Sequence, residues 1–216
     1  MDLITRRRMM MAGIEVPPVP EWDYEWTTSS GVYPSQDGWT KTIGTTGTAS
    51  EALESGYYRM KAKTSNAYIQ YQWPTVYDKG VLFVSFRITT TASCLRVYLG
   101  NATSSIGVRV NYTSTSSQRA IYLQDASTPS SGMTQIGSFT YNKTYNLQLE
   151  YDNGYGNVWW RNYTDGEDWA LIASNVDCST IINAPAGGGA SIRYVALSSS
   201  QQSCTLYQTK MKFNRT

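Results

Sequence analysis

The residues of this chain best placed to do chemistry are Glu21, Asp23 and Glu25, in the run Glu21-Trp22-Asp23-Tyr24-Glu25. Alternate side chains of an extended strand point to one face, so this spacing lines up three carboxylates. Two carboxyl groups roughly 5–5.5 Å apart, one a nucleophile and the other a general acid, are the machinery of retaining glycoside cleavage. Other chemistries lack their parts. The chain has no histidine, so neither a Ser-His-Asp nor a Cys-His arrangement can be built. It has no CxxC pair for zinc. Gly187-Gly188-Gly189 is followed by Ala190 rather than Lys-Ser/Thr, which makes it a loop and not a phosphate cradle.

Asp152, Asn153, Asp165, Gly166, Glu167 and Asp168 have the oxygen ligands and loop setting that calcium favours. Tight turns use the same residues, and the turn reading is preferred, so neither a metal nor a cofactor is expected. Cys94, Cys178 and Cys204 are odd in number and widely spaced. Buried thiols fit that pattern better than one disulfide with a free partner. Asn101, Asn111, Asn142, Asn162 and Asn214 each start an Asn-x-Thr sequon, which a Thr-rich chain produces by chance.

A sheet face offers a second kind of site. Strands are expected at 80–89, 94–100, 106–112 and 119–125. One alternate set in them is apolar: Leu82, Val84, Phe86, Leu95, Val97, Val108, Val110, Ile121 and Leu123. The opposite set holds Arg87, Arg96, Tyr98, Arg109, Asn111, Tyr122 and Gln124. Read as one antiparallel meander, the four strands gather that second set on a single face. Such side chains can hydrogen-bond sugar hydroxyls or carboxylates while rings stack on apolar sugar faces. The same pattern also fits a solvated face or a subunit contact. Tyr155, Trp160 and Tyr163 complete the candidates, with one or two of them expected in the core.

These residues need strands to position them, and the composition supplies strands. The chain has 216 residues, 17 Tyr and 7 Trp, and only 16% of it is charged. Aromatic and β-branched side chains suit a pleated surface. In 144–152, Leu147, Leu149 and Tyr151 alternate with polar residues, the period of a half-buried strand. Asp152-Asn153-Gly154 turns the chain, and Asp165-Gly166 turns it again before Trp169. Further strands are expected at 22–27, 56–63, 67–73, 133–140, 157–164, 168–173, 190–198 and 203–214. Many short strands with regular turns indicate a sandwich or barrel. Residues 1–20 stand apart as an arm whose Val16-Pro17-Pro18-Val19-Pro20 keeps it extended. The net charge is +2, with Arg6, Arg7 and Arg8 adjacent, so no nucleic-acid partner is expected. No apolar run approaches the length of a membrane span. The positive cluster near the start is not followed by a signal peptide's apolar stretch.

The run 144–173, with Tyr145-Asn146-Leu147-Gln148-Leu149-Glu150-Tyr151 and its Asp-Asn-Gly turn, resembles the concanavalin A-like lectin/glucanase jelly roll, laminin G-like modules included. Trp22-Asp23-Tyr24-Glu25-Trp26 fits its first strand, followed by Asp37-Gly38-Trp39-Thr40 and Gly56-Tyr57-Tyr58-Arg59-Met60-Lys61. The closing strand, 204–213, would return beside the first. The likeness covers 21–214. It implies an all-β, two-sheet antiparallel jelly-roll sandwich over 21–216, preceded by the short arm. Lectins, glycanases and structural modules share such folds. The glycanase members imply Glu21 as nucleophile and Glu25 as acid/base. Two departures count against that role: the motif lies just after the proline linker rather than deep in the sandwich, and Trp22 and Tyr24 are bulkier than the usual aliphatics. A non-enzymatic protein is expected.

In the arm, Leu3-Ile4-Thr5-Arg6-Arg7-Arg8-Met9-Met10-Met11-Ala12-Gly13 is similar to N-terminal segments on proteins of tailed phages that infect gut bacteria. That resemblance implies a docking peptide for other virion proteins, with Arg6, Arg7, Arg8, Met9, Met10 and Met11 in contact. Methionines fill irregular apolar grooves and arginines form charge-assisted bonds. A solvated tail is the bland reading. The combined expectation is a virion decoration protein made in the host cytoplasm. Its lectin-like domain would adhere to glycan or host surface as a homo-oligomer. A secreted carbohydrate-binding protein or retaining glycanase is the alternative, and an inert capsid module the third reading.

Overall fold

The alternation that marks Leu147, Leu149 and Tyr151 runs through nearly the whole described chain. A computed structural model describes residues 17, 21–44, 48–73, 78–101, 103–111, 119–123, 133–179, 189–200 and 202–213. Its strands are β1 (Tyr24–Thr27), β2 (Thr40–Gly44), β3 (Ala49–Glu54), β4 (Tyr57–Ala62) and β5 (Tyr68–Trp73). The series continues with β6 (Lys79–Ile88), β7 (Ser93–Gly100), β8 (Ser105–Val110), β9 (Ala120–Leu123) and β10 (Thr134–Ser138). It closes with β11 (Thr144–Asp152), β12 (Tyr155–Asn162), β13 (Ala170–Asp177), β14 (Gly189–Ala196) and β15 (Gln202–Phe213).

Two antiparallel sheets form from these strands. An eight-stranded sheet runs β13-β12-β11-β6-β15-β4-β3, with β1 pairing to β15, and a seven-stranded sheet runs β10-β9-β8-β7-β14-β5-β2. The closing strand β15 does return beside the first, Glu25 lying opposite Lys210. Between the sheets, Leu82, Val84 and Phe86 of β6 and Leu147 and Leu149 of β11 join Leu95, Val97, Ile106 and Val108 in one buried core. Each such side chain contributes about 1.5–3 kcal/mol on leaving water. Trp26, Tyr58, Tyr71 and Tyr194 are fully buried as well. All-β, two-sheet antiparallel sandwich architecture is thus present as expected.

Three expectations need correction. The strands 80–89 and 94–100 are not neighbours: β6 pairs with β11 and β15, and β7 with β8 and β14. The segment 89–92 carries the chain from one sheet to the other, so the meander begins at β7. Its corner is pinned by Thr89 and Ser93, whose hydroxyls both donate to the Ser203 carbonyl. The first strand starts at Tyr24, which leaves Glu21 outside it. Strands β2 and β3 were missed. Ala49–Glu54 reads as a helix former, but edge pairing with β4 overrides that weak preference. The arm residues Arg6 to Met11 and Gln124 lie outside the described residues. Among the described residues no helix is long and apolar enough to cross a membrane.

Candidate functional site

The outer face of the eight-stranded sheet holds rows of side chains set by strand register. One row reads Glu25, Lys210, Phe83, Gln148 and Trp159 across β1, β15, β6, β11 and β12. The next reads Thr27, Gln208, Ser85, Asn146 and Arg161. Over these rows lies a groove of about 590 Å³, lined among others by Trp22, Phe83, Asn146, Gln148, Arg161, Tyr163, Trp169, Tyr207, Gln208 and Lys210. A hollow of about 660 Å³ lies further along the same strands, beside Val81, Glu150, Tyr155 and Asn157.

Aromatic rings form a rail across the groove. The Trp22 and Phe83 rings are 6.2 Å apart and those of Phe83 and Trp169 6.3 Å apart. The Arg161 guanidinium lies 5.0 Å from the Trp169 ring and 5.3 Å from the Tyr163 ring, and the Lys210 ammonium 5.9 Å from Trp22. Such cation–ring contacts hold the charges and rings in fixed orientation. Tyr163 is 59% exposed, while Trp22 and Trp169 are half-buried. Two local devices build this rail. The turn at Asp165-Gly166, with Gly166 at φ 68°, brings Trp169 back over the sheet. A register shift in β15 between Leu206 and Gln208 leaves Tyr207 as an extra residue, and both Tyr207 and Gln208 line the groove.

The polar lining is oriented before any ligand arrives. Hydrogen bonding assigns the Asn146 amide so that its oxygen accepts from the Arg161 Nε and Nη2 at 3.0 Å, and its nitrogen donates to Ser85 Oγ. Gln148 donates to Glu150 Oε1 at 3.3 Å and Asn157 to Glu150 Oε2 at 3.0 Å. Gln208 donates to Glu25 Oε1 at 2.6 Å, and Lys210 pairs with Glu25 Oε2 at 3.1 Å. Pro17, from the proline-rich linker, is buried and also lines the groove. The arrangement can stack flat apolar faces and donate hydrogen bonds to hydroxyls between them.

No family model matches the chain, and no curated protein matches it by sequence. Solved structures do match by shape. A Bacillus subtilis protein described as galectin-like in fold aligns at TM-score 0.60 and 8% identity, over 90% of this chain and 96% of its own. The exoplasmic/lumenal domain of VIP36, solved with Ca2+ and a mannose saccharide, aligns at 0.57 and 11% identity, over 88% and 87%. A sialidase aligns at 0.58 and 12% identity over 91% of this chain, which spans only 19% of that protein's length. The fold is the galectin-like, concanavalin A-like jelly roll.

On this jelly roll the seven residues chosen from sequence do not share one face. Arg87 belongs to β6 in the eight-stranded sheet. Arg96, Tyr98, Arg109 and Tyr122 lie on the seven-stranded sheet, with Arg109 opposite both Arg96 and Tyr122. Asn111 is fully buried and its amide donates to the carbonyls of Thr91 at 2.7 Å and Ser93 at 2.9 Å, so it serves the backbone. Trp160 is a core residue stacked on Tyr145 at 4.7 Å, whereas Tyr155 and Tyr163 are exposed.

The carboxylate run behaves as a pairing edge. Asp23 accepts from Lys212 at 2.6 Å and from the Phe213 amide at 2.7 Å. Burial works to raise the Asp23 pKa, but these bonds outweigh it and hold the carboxyl below its ordinary range. Asp165 accepts from Lys143 and Asn162, and Asp152 from Lys79, beside Asn153 and Gly154 at φ 47° and 91°. Those loop residues form the tight turns. Among the described residues no cluster of three or more His, Cys, Asp or Glu could hold a metal ion. The groove residues missed from sequence, Trp22, Trp169, Arg161 and Gln208, come from separate segments. Only Tyr163 among the expected residues signalled the place.

Proposed function

We propose that this chain is a non-enzymatic glycan-binding module that seats a sugar chain in the groove on the outer face of its eight-stranded sheet. The observation that carries the reading is the alternation there of half-exposed rings, Trp22, Trp169 and Tyr163, with oriented amides and cations, Asn146, Arg161 and Lys210. Sugar rings present the matching surface: apolar faces for stacking and hydroxyls for hydrogen bonds. The neighbours' shape supports a sugar-related role, since VIP36 was solved with mannose sugar bound.

The non-catalytic part is supported by the engagement of Asp23 and Glu25 with Lys212 and Lys210. Glu25, the residue the glycanase likeness makes acid/base, is held by hydrogen bonds and charge pairing from Gln208 and Lys210. The wider reading is a phage virion decoration protein. Residues 1–20 would dock it on other virion proteins through Arg6, Arg7, Arg8, Met9, Met10 and Met11, and homo-oligomers would multiply weak contacts into avidity. The sequence of the arm is what supports this part.

A glycan array probed with the multivalent full chain tests the proposal, followed by titration of any hit against Trp169→Ala. Truncating an anchoring ring costs about 2 kcal/mol, so affinity is expected to fall roughly 30-fold. Absence of binding to every glycan, or a hit indifferent to Trp169→Ala, refutes the groove. Hydrolysis of a bound glycan that disappears in Glu25→Gln would replace the adhesive reading with the glycanase one.

A further inference from the structure

Three arginines stand side by side on the outer face of the seven-stranded sheet. Arg109 of β8 is directly opposite Arg96 of β7, and Arg96 is directly opposite Arg193 of β14. Directly opposed residues have Cβ atoms about 4.5–5.5 Å apart, and like charges at that spacing repel. Neither Arg96 nor Arg193 forms an ion pair with a carboxylate among the described residues. Among the described residues their buried Nε atoms have no hydrogen-bond partner, nor has Oγ of Ser191, two residues from Arg193 on the same face. Burial first, and the Arg96 charge second, push the Arg193 pKa below its ordinary value. A sheet gains no stability from such a row.

The side chains are nonetheless held in place. Arg193 lies over the Tyr68 ring at 3.7 Å, and Arg109 Nε donates to Cys94 Sγ at 3.3 Å. Uncharged hydrogen-bonding groups flank them. Gln70 is opposite Arg193, Tyr122 opposite Arg109, and Tyr98 opposite Ser191 in the adjoining row. A rigid cationic centre ringed by amides and phenols matches one anionic group carried on a hydroxyl-rich body.

We infer that this row is a second ligand site, for an acidic sugar whose carboxylate or sulfate is forked by Arg96 and Arg193 while Gln70 meets its hydroxyls. Guanidinium pairs bind planar or tetrahedral oxyanions through parallel charge-assisted bonds, which a neutral sugar cannot offer. A nucleic acid would need a longer stripe of cations along its backbone than these three arginines. The choice of a sugar rests on the glycan reading above, but the residues are separate from the groove.

Titration of the full chain with a short oligogalacturonate and with its carboxyl-reduced neutral counterpart tests this, with inorganic sulfate as competitor. The acidic form should bind about tenfold tighter, the gap closing in Arg96→Gln and in Arg193→Gln. Arg96→Lys, which keeps the charge but loses the fork, should retain only part of the gap. The Gln variants remove repulsion, so their Tm should not fall. Equal affinity for the two sugars, or a gap that survives both Gln variants, overturns the site. Sulfate binding without preference for the acidic sugar overturns the sugar assignment, as does an oligonucleotide bound through the same arginines. Trp169→Ala should leave the acidic preference intact, so loss of neutral-sugar binding in that variant bears on the groove alone.

Discussion

Replacing Glu51 by glutamine strikes the join between the two sheets. Glu51 sits on edge strand β3 of one sheet, and its Oε2 accepts from the hydroxyls of Tyr58 and Tyr71, while Oε1 accepts from Lys41 Nζ at 2.7 Å on edge strand β2 of the other. With both protons given to the carboxylate, the two phenol oxygens lie 2.5 Å apart in the core. Burial pushes both far above the ordinary tyrosine pKa, so they remain donors. Burial works to raise the Glu51 pKa too, but the bonds from Lys41, Tyr71 and Tyr58 prevail and lower it. Hydrogen bonds to a charged group contribute about 1.5–3 kcal/mol each against about 1 for neutral ones. With a Lys41 pair worth up to about 1 kcal/mol, Glu51→Gln should cost about 2–3 kcal/mol. For a chain of this size that lowers Tm by about 5–10 °C. Because the folded pKa is depressed, the contribution is fully present above the unfolded value near 4.3 and is lost as pH falls through the folded one. Thermal unfolding from neutral pH down to about pH 3 should therefore show the gap between wild type and Glu51→Gln shrinking in acid. A double-mutant cycle with Tyr71→Phe should give about 1 kcal/mol of coupling. A Tm loss independent of pH, or strict additivity in the cycle, would refute the reasoning.

Trp160→Ala should destabilise by about 3–5 kcal/mol in denaturant unfolding, because the ring is buried against Tyr145 at 4.7 Å and Phe86 at 5.8 Å. A loss under about 1 kcal/mol would contradict its core role. Tyr163→Ala, at a residue 59% exposed, should leave the unfolding midpoint within about 0.5 kcal/mol of wild type while weakening glycan binding. Cys94, Cys178 and Cys204 are free and buried, and burial pushes the Cys178 thiol up to about 12, so Ellman's reagent should react with the native protein only after unfolding. Gly154→Ala meets open space but a φ of 91°, and should cost about 1 kcal/mol by calorimetry; no change would mean the turn relaxes freely.

Much of this molecule is local and therefore legible. The period of Leu147, Leu149 and Tyr151 sets which face is buried whatever the strand's neighbours, and the Asn153-Gly154 pair dictates a turn because its φ values are positive. For that reason the strands from β4 onward, and the all-β class, could be read without a structure. Edge strands β2 and β3 could not, since their pattern is polar and pairing alone holds them extended. Nor could the destination of β6. A short link such as 89–92 looks the same whether it closes a hairpin or crosses between sheets, and alternation is satisfied either way. That single choice placed Arg87 apart from Arg96 and set Phe83 and Ser85 on the groove face beside β11 and β15. Most of the strands, the apolar side chains of the core and the spread of aromatic and basic residues follow from side-chain period and turn chemistry, which are local. Which of them meet is set by the pairing of distant strands: Trp22, Lys210, Asn146 and Trp169 across four segments, and Arg96 between Arg109 and Arg193. Neighbour identity in a sheet is fixed by long-range pairing, to which one strand's own period is blind.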